Sequence, residues 1–262
     1  MKRKRTLEAP RLLGIIWPFV AVVLFQALLG SISLYALSAV RGYVAGESLW
    51  SKGQKDAIYH LHQYAINGSP QAFDGFVRAM DIPLGDRAAR LALQPGQVQT
   101  DVAREGFLRG GNHPDDIDSL IWLLRYFNHL DLVKKPVSHW LIGDEYINAL
   151  RELSHEIHQR NTDGTADAAT RQRWQDTIHE INAGVTPAAR NFSEALGESS
   201  RQIVLLLMWT NMGMAAVLIL LTLWHTHGLL EQRRRAEQAL EAEREQARTT
   251  LTAIGDGVVT TN

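Results

Sequence analysis

The chain of 262 residues contains no cysteine. This absence excludes disulfide bonds and thiol chemistry, and it is compatible with export to an oxidising compartment without disulfides. The sequence also has no marked charge imbalance, because 27 Lys and Arg accompany 28 Asp and Glu, a formal net charge of -1. A near-neutral chain gives no reason to expect nucleic acid as a partner.

Catalytic signatures are absent from the sequence as well. It contains no G-x-S-x-G nucleophile motif, no H-E-x-x-H zinc motif and no Walker phosphate loop. We therefore predict that this chain is not itself an enzyme and carries no cofactor.

Apolar residues are concentrated in two long runs. Residues 12–40 contain one strongly polar side chain, Gln26, and residues 203–224 contain one, Asn211. Both runs reach the roughly 20 residues that an α-helix needs to cross a bilayer. We predict transmembrane helices at 12–40 and 203–225.

The first run could also be a secretory signal peptide, since residues 2–5 are basic and Ala36-Leu37-Ser38 is a passable cleavage site. A signal peptide has an apolar core of about 7 to 15 residues, and this run is nearly twice the upper limit. Its length favours an uncleaved anchor.

Basic residues flank the outer ends of both runs. They occur in residues 1–11 and again at Arg233, Arg234 and Arg235. The positive-inside rule therefore predicts that both termini are cytoplasmic and that residues 41–202 lie in the periplasm. The membrane is then the inner membrane of a bacterium, and its lipids are partners of the two spans.

The exported segment has helical patterning, with apolar residues recurring at intervals of three and four from Asp118 to Ile157. Turn signals divide it at Asn67-Gly68-Ser69-Pro70, Gln94-Pro95-Gly96, Gly110-Gly111-Asn112 and Asp163-Gly164. We predict an all-α chain, in which an elongated periplasmic helical bundle stands on the two transmembrane helices.

Four residues of this segment are our candidates for binding the signal. His113 and Asp116 belong to the stretch GGNHPDDID, which could bind a cation, although capping of a helix by Asn112 or a neighbour explains it better. Trp122 and Arg125 belong to an aromatic and charged group near a helix corner that could line a pocket or form ordinary core, together with Tyr126, Trp140, Glu145 and Tyr146.

Histidine pairs could in principle hold a metal ion. His155 and His158 share a helix face, whereas His60 and His62 point in different directions on a helix. Because no third ligand accompanies either pair, we predict solvated or core histidines and no metal site.

After the second run the sequence becomes strongly polar, and residues 226–254 carry an imperfect heptad seam. We predict a cytoplasmic signalling helix that pairs in a homodimer, with a single solvated helix as the alternative; no HAMP-type relay intervenes. The seam residues are Ala236, Leu240, Ala247 and Ile254, interrupted by Glu243 and Thr250.

The sequence ends with TLTAIGDGVVTTN, in which Gly255-Asp256-Gly257 favours a turn and Val258-Val259-Thr260-Thr261 a strand. With the charged helix before it, this stretch resembles the junction where a signalling helix enters a PAS domain. The resembling junctions occur in bacterial membrane proteins whose PAS domain precedes GGDEF and EAL domains, and the periplasmic stretch GGNHPDDIDSLIWLLRYF is similar to their helical sensor regions. The resemblance implies that 255–262 begin a truncated PAS domain.

Together these features predict transmembrane signal sensing by the periplasmic domain. The resemblance implies that a longer protein makes or degrades cyclic di-GMP, and the periplasmic signal is not identified. Two alternatives remain open: the input half of a sensor histidine kinase, and a membrane-anchored periplasmic module that binds another protein.

Overall fold

The computed structural model describes residues 8–94, 96 and 98–259. All regular structure in these residues is helical, which confirms the predicted all-α class. The helices are α1 Glu8–Asn67, α2 Pro70–Ala92, α3 Thr100–Arg109, α4 Pro114–Phe127, α5 Asp131–Thr162 and α6 Ala168–Val259.

Two units are distinguished by their internal contacts. One comprises Met1–Gly30 with Trp209–Asn262, and the other comprises Ser31–Met208. Helices α1 and α6 each contribute residues to both units, because neither helix is interrupted at the end of its apolar run.

The apolar runs of α1 and α6 expose large hydrophobic side chains. Val23 in the first run is 66% exposed, and Trp224 at the end of the second is 77% exposed. A folded protein in water rarely presents so much apolar surface, whereas lipid solvates it without cost. Both helices are therefore long and apolar enough to cross a membrane.

The unit Ser31–Met208 encloses a hydrophobic core to which all six helices contribute. Its largest fully buried side chains include Trp50 of α1, Ile147 of α5 and Phe192 of α6. Close backbone contact joins α2 to α3, since a Cβ at Gly106 would lie 2.7 Å from the oxygen of Gly85. Small residues thus allow the short helices to pack tightly against α2.

The predicted turns of this unit are confirmed. Gly68, Gly111 and Gly164 have φ values of 65°, 79° and 65°, in the region that only glycine adopts readily. Pro70 and Pro114 occupy the first turns of α2 and α4, where their missing N–H has no intrahelical partner to lose. Pro95 lies outside the described residues.

The turn and strand expected from Gly255 onward are not observed in the described residues. Helix α6 continues through Gly255-Asp256-Gly257 to Val259. A strand is stabilised mainly by pairing with other strands, and the described part of the chain offers none, so the helical neighbours decide the local structure. Thr260 and Thr261 lie outside the described residues, and the likeness to a PAS domain stays a prediction.

Residues 226–254, predicted as a cytoplasmic paired helix, belong to α6, and the described side chains of this stretch are mostly exposed. Leu240 of the seam is 50% exposed, and Arg235 forms the expected surface ion pair with Glu231, with a nitrogen-oxygen distance of 3.2 Å. Ala236 is also exposed, while the side chains of Ala247 and Ile254 lie outside the described part. The homodimer remains a prediction.

Candidate functional site

The four residues predicted to bind the signal have different partners in the structure. His113 is the N-cap of α4, and its Nδ1 accepts the backbone N–H of Asp115 at 3.2 Å. Asp116 accepts a hydrogen bond from the Arg41 guanidinium at 2.6 Å. The capping interpretation therefore accounts for this stretch, although His113 rather than Asn112 supplies the cap.

Trp122 and Arg125 follow on the same helix and have different surroundings. The Trp122 ring packs edge-on against Tyr35, with centroids 5.2 Å apart, and against Phe127 at 4.7 Å. Arg125 is exposed and lies over the ring of Tyr126, 5.1 Å from its centroid. Trp122 is a packing residue, and Arg125 is a surface residue.

His158 has a packing role among the histidines. Its ring stacks on Phe73 with centroids 4.1 Å apart, and its Nδ1 is 3.0 Å from the hydroxyl of Tyr64. Among the described residues there is no group of three or more potential metal ligands.

A different set of residues forms a polar cluster inside the hydrophobic core. Arg90 of α2 donates a hydrogen bond to Asp144 of α5, and both residues are less than a tenth exposed. The guanidinium of Arg90 also lies over the ring of Trp140, 5.4 Å from its centroid. Burying a charge costs several kcal/mol in lost hydration. The core therefore tolerates these two charges only because they contact each other.

A second carboxylate, Asp86, lies one helical turn from Arg90 on α2. It is 3% exposed, and its Oδ1 accepts the side-chain amide of Asn112 at 2.8 Å. Asn112 also donates to the backbone oxygen of Phe107. This amide fixes the end of α3 against α2 and holds the carboxylate in place. We call Tyr43, Asp86, Arg90, Asn112 and Asp144 the buried polar cluster.

A small cavity with a free interior of about 10 Å³, about the space of one water molecule, lies beside the buried polar cluster. Helix α1 contributes Glu47 to its wall, α2 contributes Asp86, and the loop before α4 contributes Asn112. The rest of the wall is mainly aromatic and aliphatic; its members are Gly42, Tyr43, Gly46, Trp50, Phe107, Leu120, Leu124, Trp140 and Phe192. We call this space the central cavity.

Three residues of the cavity wall carry buried polar atoms without a hydrogen-bond partner among the described residues. They are the Tyr43 hydroxyl and the indole nitrogens of Trp50 and Trp140. Nearby, Arg90 Nε and Asp144 Oδ1 also lack such a partner. Each buried polar group without a partner lowers the stability of a fold by about 1 to 3 kcal/mol. Several such groups therefore make this core less stable than an apolar one.

Burial changes the acid–base properties of the cluster. It raises the pKa of Asp86 well above its usual range, although the Asn112 hydrogen bond opposes this and the nearby Asp144 adds to it. Burial also raises the pKa of Asp144, against the opposing charge and hydrogen bond of Arg90. The pKa of the Tyr43 hydroxyl is raised by burial as well. Groups with such shifts inside a cavity wall are typical of functional sites.

Sequence reasoning did not identify Tyr43, Asp86, Arg90 or Asp144 as site residues. Of the residues predicted from sequence to line a potential pocket, Trp140 is the one that lies in the wall of the central cavity, and its Nε1 has no partner among the described residues. A usable signal was present in α2, where Asp86 and Arg90 are spaced by four among Gly and Ala and so share a face that packs closely.

Comparison with protein-family models, curated proteins and solved structures found no match to this chain. The assignment of the site therefore depends on its own geometry. That geometry combines a small cavity, two carboxylic acids, several aromatic rings and buried donors that have no partner in the described part of the chain, on helices from both ends of the unit Ser31–Met208.

Removal of the Asp144 carboxylate tests the buried ion pair. We expect Asp144→Ala to lower the free energy of unfolding by about 3 to 5 kcal/mol, because Arg90 is left buried and uncompensated. The control is Asp118→Ala, which breaks an exposed pair with Arg104 and should cost less than about 1 kcal/mol. Chemical unfolding of the detergent-solubilised chain, followed by circular dichroism, measures both; equal losses would contradict a buried pair.

The raised pKa of Asp86 predicts a specific pH dependence. Protonated Asp86 contributes its full stabilisation at pH values below about 4, the pKa of an aspartic acid in the unfolded chain. This stabilisation is lost as the pH rises through the higher pKa that Asp86 has in the folded chain. Asp86→Asn keeps the acceptor for Asn112 and cannot ionise, so we expect it to unfold at a higher temperature than the unsubstituted chain at pH 8.

This advantage of Asp86→Asn should vanish at about pH 2.5, well below the unfolded pKa of about 4, where Asp86 is protonated in both states. Because Tyr43, Arg90 and Asp144 face Asp86 and remain in the variant, the difference between the two melting curves isolates Asp86. A difference that is the same at both pH values would show that ionisation of Asp86 is not its cause.

Proposed function

We propose that the chain is a transmembrane sensory module, in which the unit Ser31–Met208 detects a signal and α1 and α6 pass a small displacement to the cytoplasm. One observation carries this proposal. The two helices with membrane-length apolar runs also build the central cavity, since α1 supplies Tyr43 and Trp50 and α6 supplies Phe192. A change inside the cavity therefore acts directly on the helices that leave it.

The aromatic side chains link α1 and α6 mechanically. Phe192 stacks on Trp140 with centroids 5.8 Å apart and meets Trp50 edge-on at 6.1 Å. Tyr43 is 6.1 Å from the same ring. Well-packed rings of this kind have few alternative arrangements, so a new occupant must shift them together rather than one at a time.

A signal shifts such a module only if it binds one arrangement of the helices better than the other. A preference of about 1.4 kcal/mol changes the ratio of the two arrangements tenfold. The buried polar atoms of Tyr43, Trp50 and Trp140, which have no partner among the described residues, would provide interactions of this size, since each is worth about 1 to 3 kcal/mol when satisfied.

The orientation in this proposal follows from the basic residues at 1–11 and 233–235, which favour the cytoplasmic side. Residues 41–202 then lie in the bacterial periplasm. The resemblance of the last residues to a PAS junction supports an output that makes or degrades cyclic di-GMP, reached through a dimeric helix at 226–254. The longer protein, not this chain, would perform that reaction.

The orientation can be tested by labelling single cysteines, because the chain has none of its own. Asp163→Cys lies between α5 and α6, and Gln238→Cys lies on the exposed cytoplasmic part of α6. In intact cells with a permeable outer membrane, an impermeant maleimide should label residue 163 only. Residue 238 should react after lysis, and its labelling before lysis would contradict the proposed orientation.

The pairing of the signalling helix can be tested by oxidation in native membranes. Leu240→Cys lies on the predicted seam, whereas Gln238→Cys lies on the opposite side of the heptad. In a parallel coiled coil, residues at the seam of one helix lie close to the same residues of its partner. We therefore expect Leu240→Cys to form the disulfide-linked dimer at least about fivefold faster than Gln238→Cys. Equal rates for the two variants would mean that this face is not the seam.

A further inference from the structure

Helix α4 runs antiparallel to α1 inside the unit Ser31–Met208, as two side-chain contacts show. Near the start of α4, Asp116 accepts a hydrogen bond from the Arg41 guanidinium. Further along α4, the Trp122 ring meets the ring of Tyr35, with centroids 5.2 Å apart. Since Trp122 follows Asp116 whereas Tyr35 precedes Arg41, α4 descends along α1 toward the apolar run.

We call residues 125–135, where α4 ends and α5 begins, the α4–α5 corner. Tyr35 belongs to the apolar run 12–40, so Trp122 already lies at the level of that run. Helix α4 continues past Trp122 to Phe127 in the same direction before the chain turns. The corner is therefore at the level of lipid-exposed residues of α1, and not above them.

A neighbour on α6 places the corner at the same end of the unit. Hydrogen bonds from Arg201 and Gln202 lower the pKa of Glu198, and the charge of Lys135 contributes to this effect. Lys135 in the first turns of α5 is therefore near Glu198, which shortly precedes the second apolar run. Both long helices thus locate the corner where their apolar runs begin.

The α4–α5 corner exposes the types of side chain that favour a membrane interface. Tyr126 is 54% exposed and Leu130 is 41% exposed. Asp131 is the one acidic residue of the corner, and three exposed basic residues outnumber it: Arg125, Lys134 and Lys135. Tyrosine and leucine partition into the interface, while Lys and Arg are attracted to anionic headgroups.

We infer that the α4–α5 corner rests in the anionic headgroup layer of the bilayer that α1 and α6 cross. Its apolar side chains reach the top of the acyl chains, and its basic side chains contact lipid phosphates. Lipid is the occupant of this face because the corner lies at the level of the apolar runs and carries the complementary charge. The inference rests on the membrane crossing in the proposed function, and not on signalling.

Quenching of a fluorescent label by lipids tests this contact, because a single cysteine can be labelled in a chain that has none. The full chain with Leu130→Cys carries an environment-sensitive dye in vesicles of equimolar phosphatidylcholine and phosphatidylglycerol. Nitroxide groups at the top of the acyl chains quench only dyes that touch the bilayer. We expect blue-shifted emission and at least about threefold more quenching than at a site in water. If Leu130→Cys does not fold, Tyr126→Cys carries the dye at the same corner.

Two further cysteine variants are the controls. Val77→Cys replaces a similarly exposed apolar residue of α2, 46% exposed. It lies at the level of His60, since a Cβ on Gly75 would be 2.6 Å from the His60 ring. His60 is about 38 Å from Tyr35 along α1 at the helical rise per residue. Leu34→Cys, in the apolar run and 69% exposed, is the positive control.

The preference for anionic lipid is tested by placing the nitroxide on either phosphatidylglycerol or phosphatidylcholine at equal mole fraction. We expect the anionic lipid to quench the dye at Leu130→Cys about twofold more strongly. Arg125→Gln combined with Lys134→Gln should remove this preference. Lys55→Gln combined with Arg78→Gln removes two exposed charges farther from the corner and should leave the preference unchanged.

Three results would overturn the inference. Quenching at Leu130→Cys no stronger than at Val77→Cys would mean that the corner stands clear of lipid. Blue-shifted emission without quenching would mean that protein, such as a second copy of the chain, covers the corner. Equal quenching by the two lipids would contradict a site for anionic headgroups. If Leu34→Cys is not quenched either, the membrane crossing itself fails, and with it the proposed function.

Discussion

The helical unit Ser31–Met208 is organised around polar groups that are buried in its core. Arg90 and Asp144 are held between α2 and α5, away from water, and each would be intolerable without the other. Asp86 and Asn112 form a second polar contact beside them. Because apolar side chains of the same size often stabilise a core as well as or better than a buried ion pair, stability alone does not account for these groups.

The position of this cluster explains how a local event could become a displacement. It lies next to the aromatic rings of Tyr43, Trp50, Trp140 and Phe192, which come from α1, α5 and α6. Two of these helices continue into the apolar runs. This core differs from a purely hydrophobic one, because its described residues include buried donors without a partner and a carboxylic acid whose pKa is raised, which are features typical of functional sites.

Much of this organisation could be predicted from the sequence because it depends on local chemistry. Apolar run length identified the two membrane-length helices, and Gly and Pro identified the breaks at Gly68, Gly111 and Gly164. The cap at the start of α4 followed from the stretch around His113. These features are decided by residues within one or two helical turns.

The site could not be predicted in the same way, because its members come together only through packing. Tyr43 and Asp144 are about a hundred residues apart in the chain, and no spacing rule links them. The predicted quartet contained residues that are prominent in sequence but have local roles, such as Arg125 on the surface. The strand expected after Gly257 was wrong for the described residues because its β-branched composition was outweighed by the absence of a pairing partner.

The central claim is that a change in the buried polar cluster alters the pairing of the C-terminal part of α6, which we propose to be cytoplasmic. The most direct measurement compares the rate of disulfide formation at Leu240→Cys in membranes with and without the additional change Asp86→Asn, using Asp81→Asn as the surface control. The account predicts that Asp86→Asn changes this rate several-fold while Asp81→Asn leaves it unchanged. An identical rate in all three chains, each folded and inserted, would contradict it.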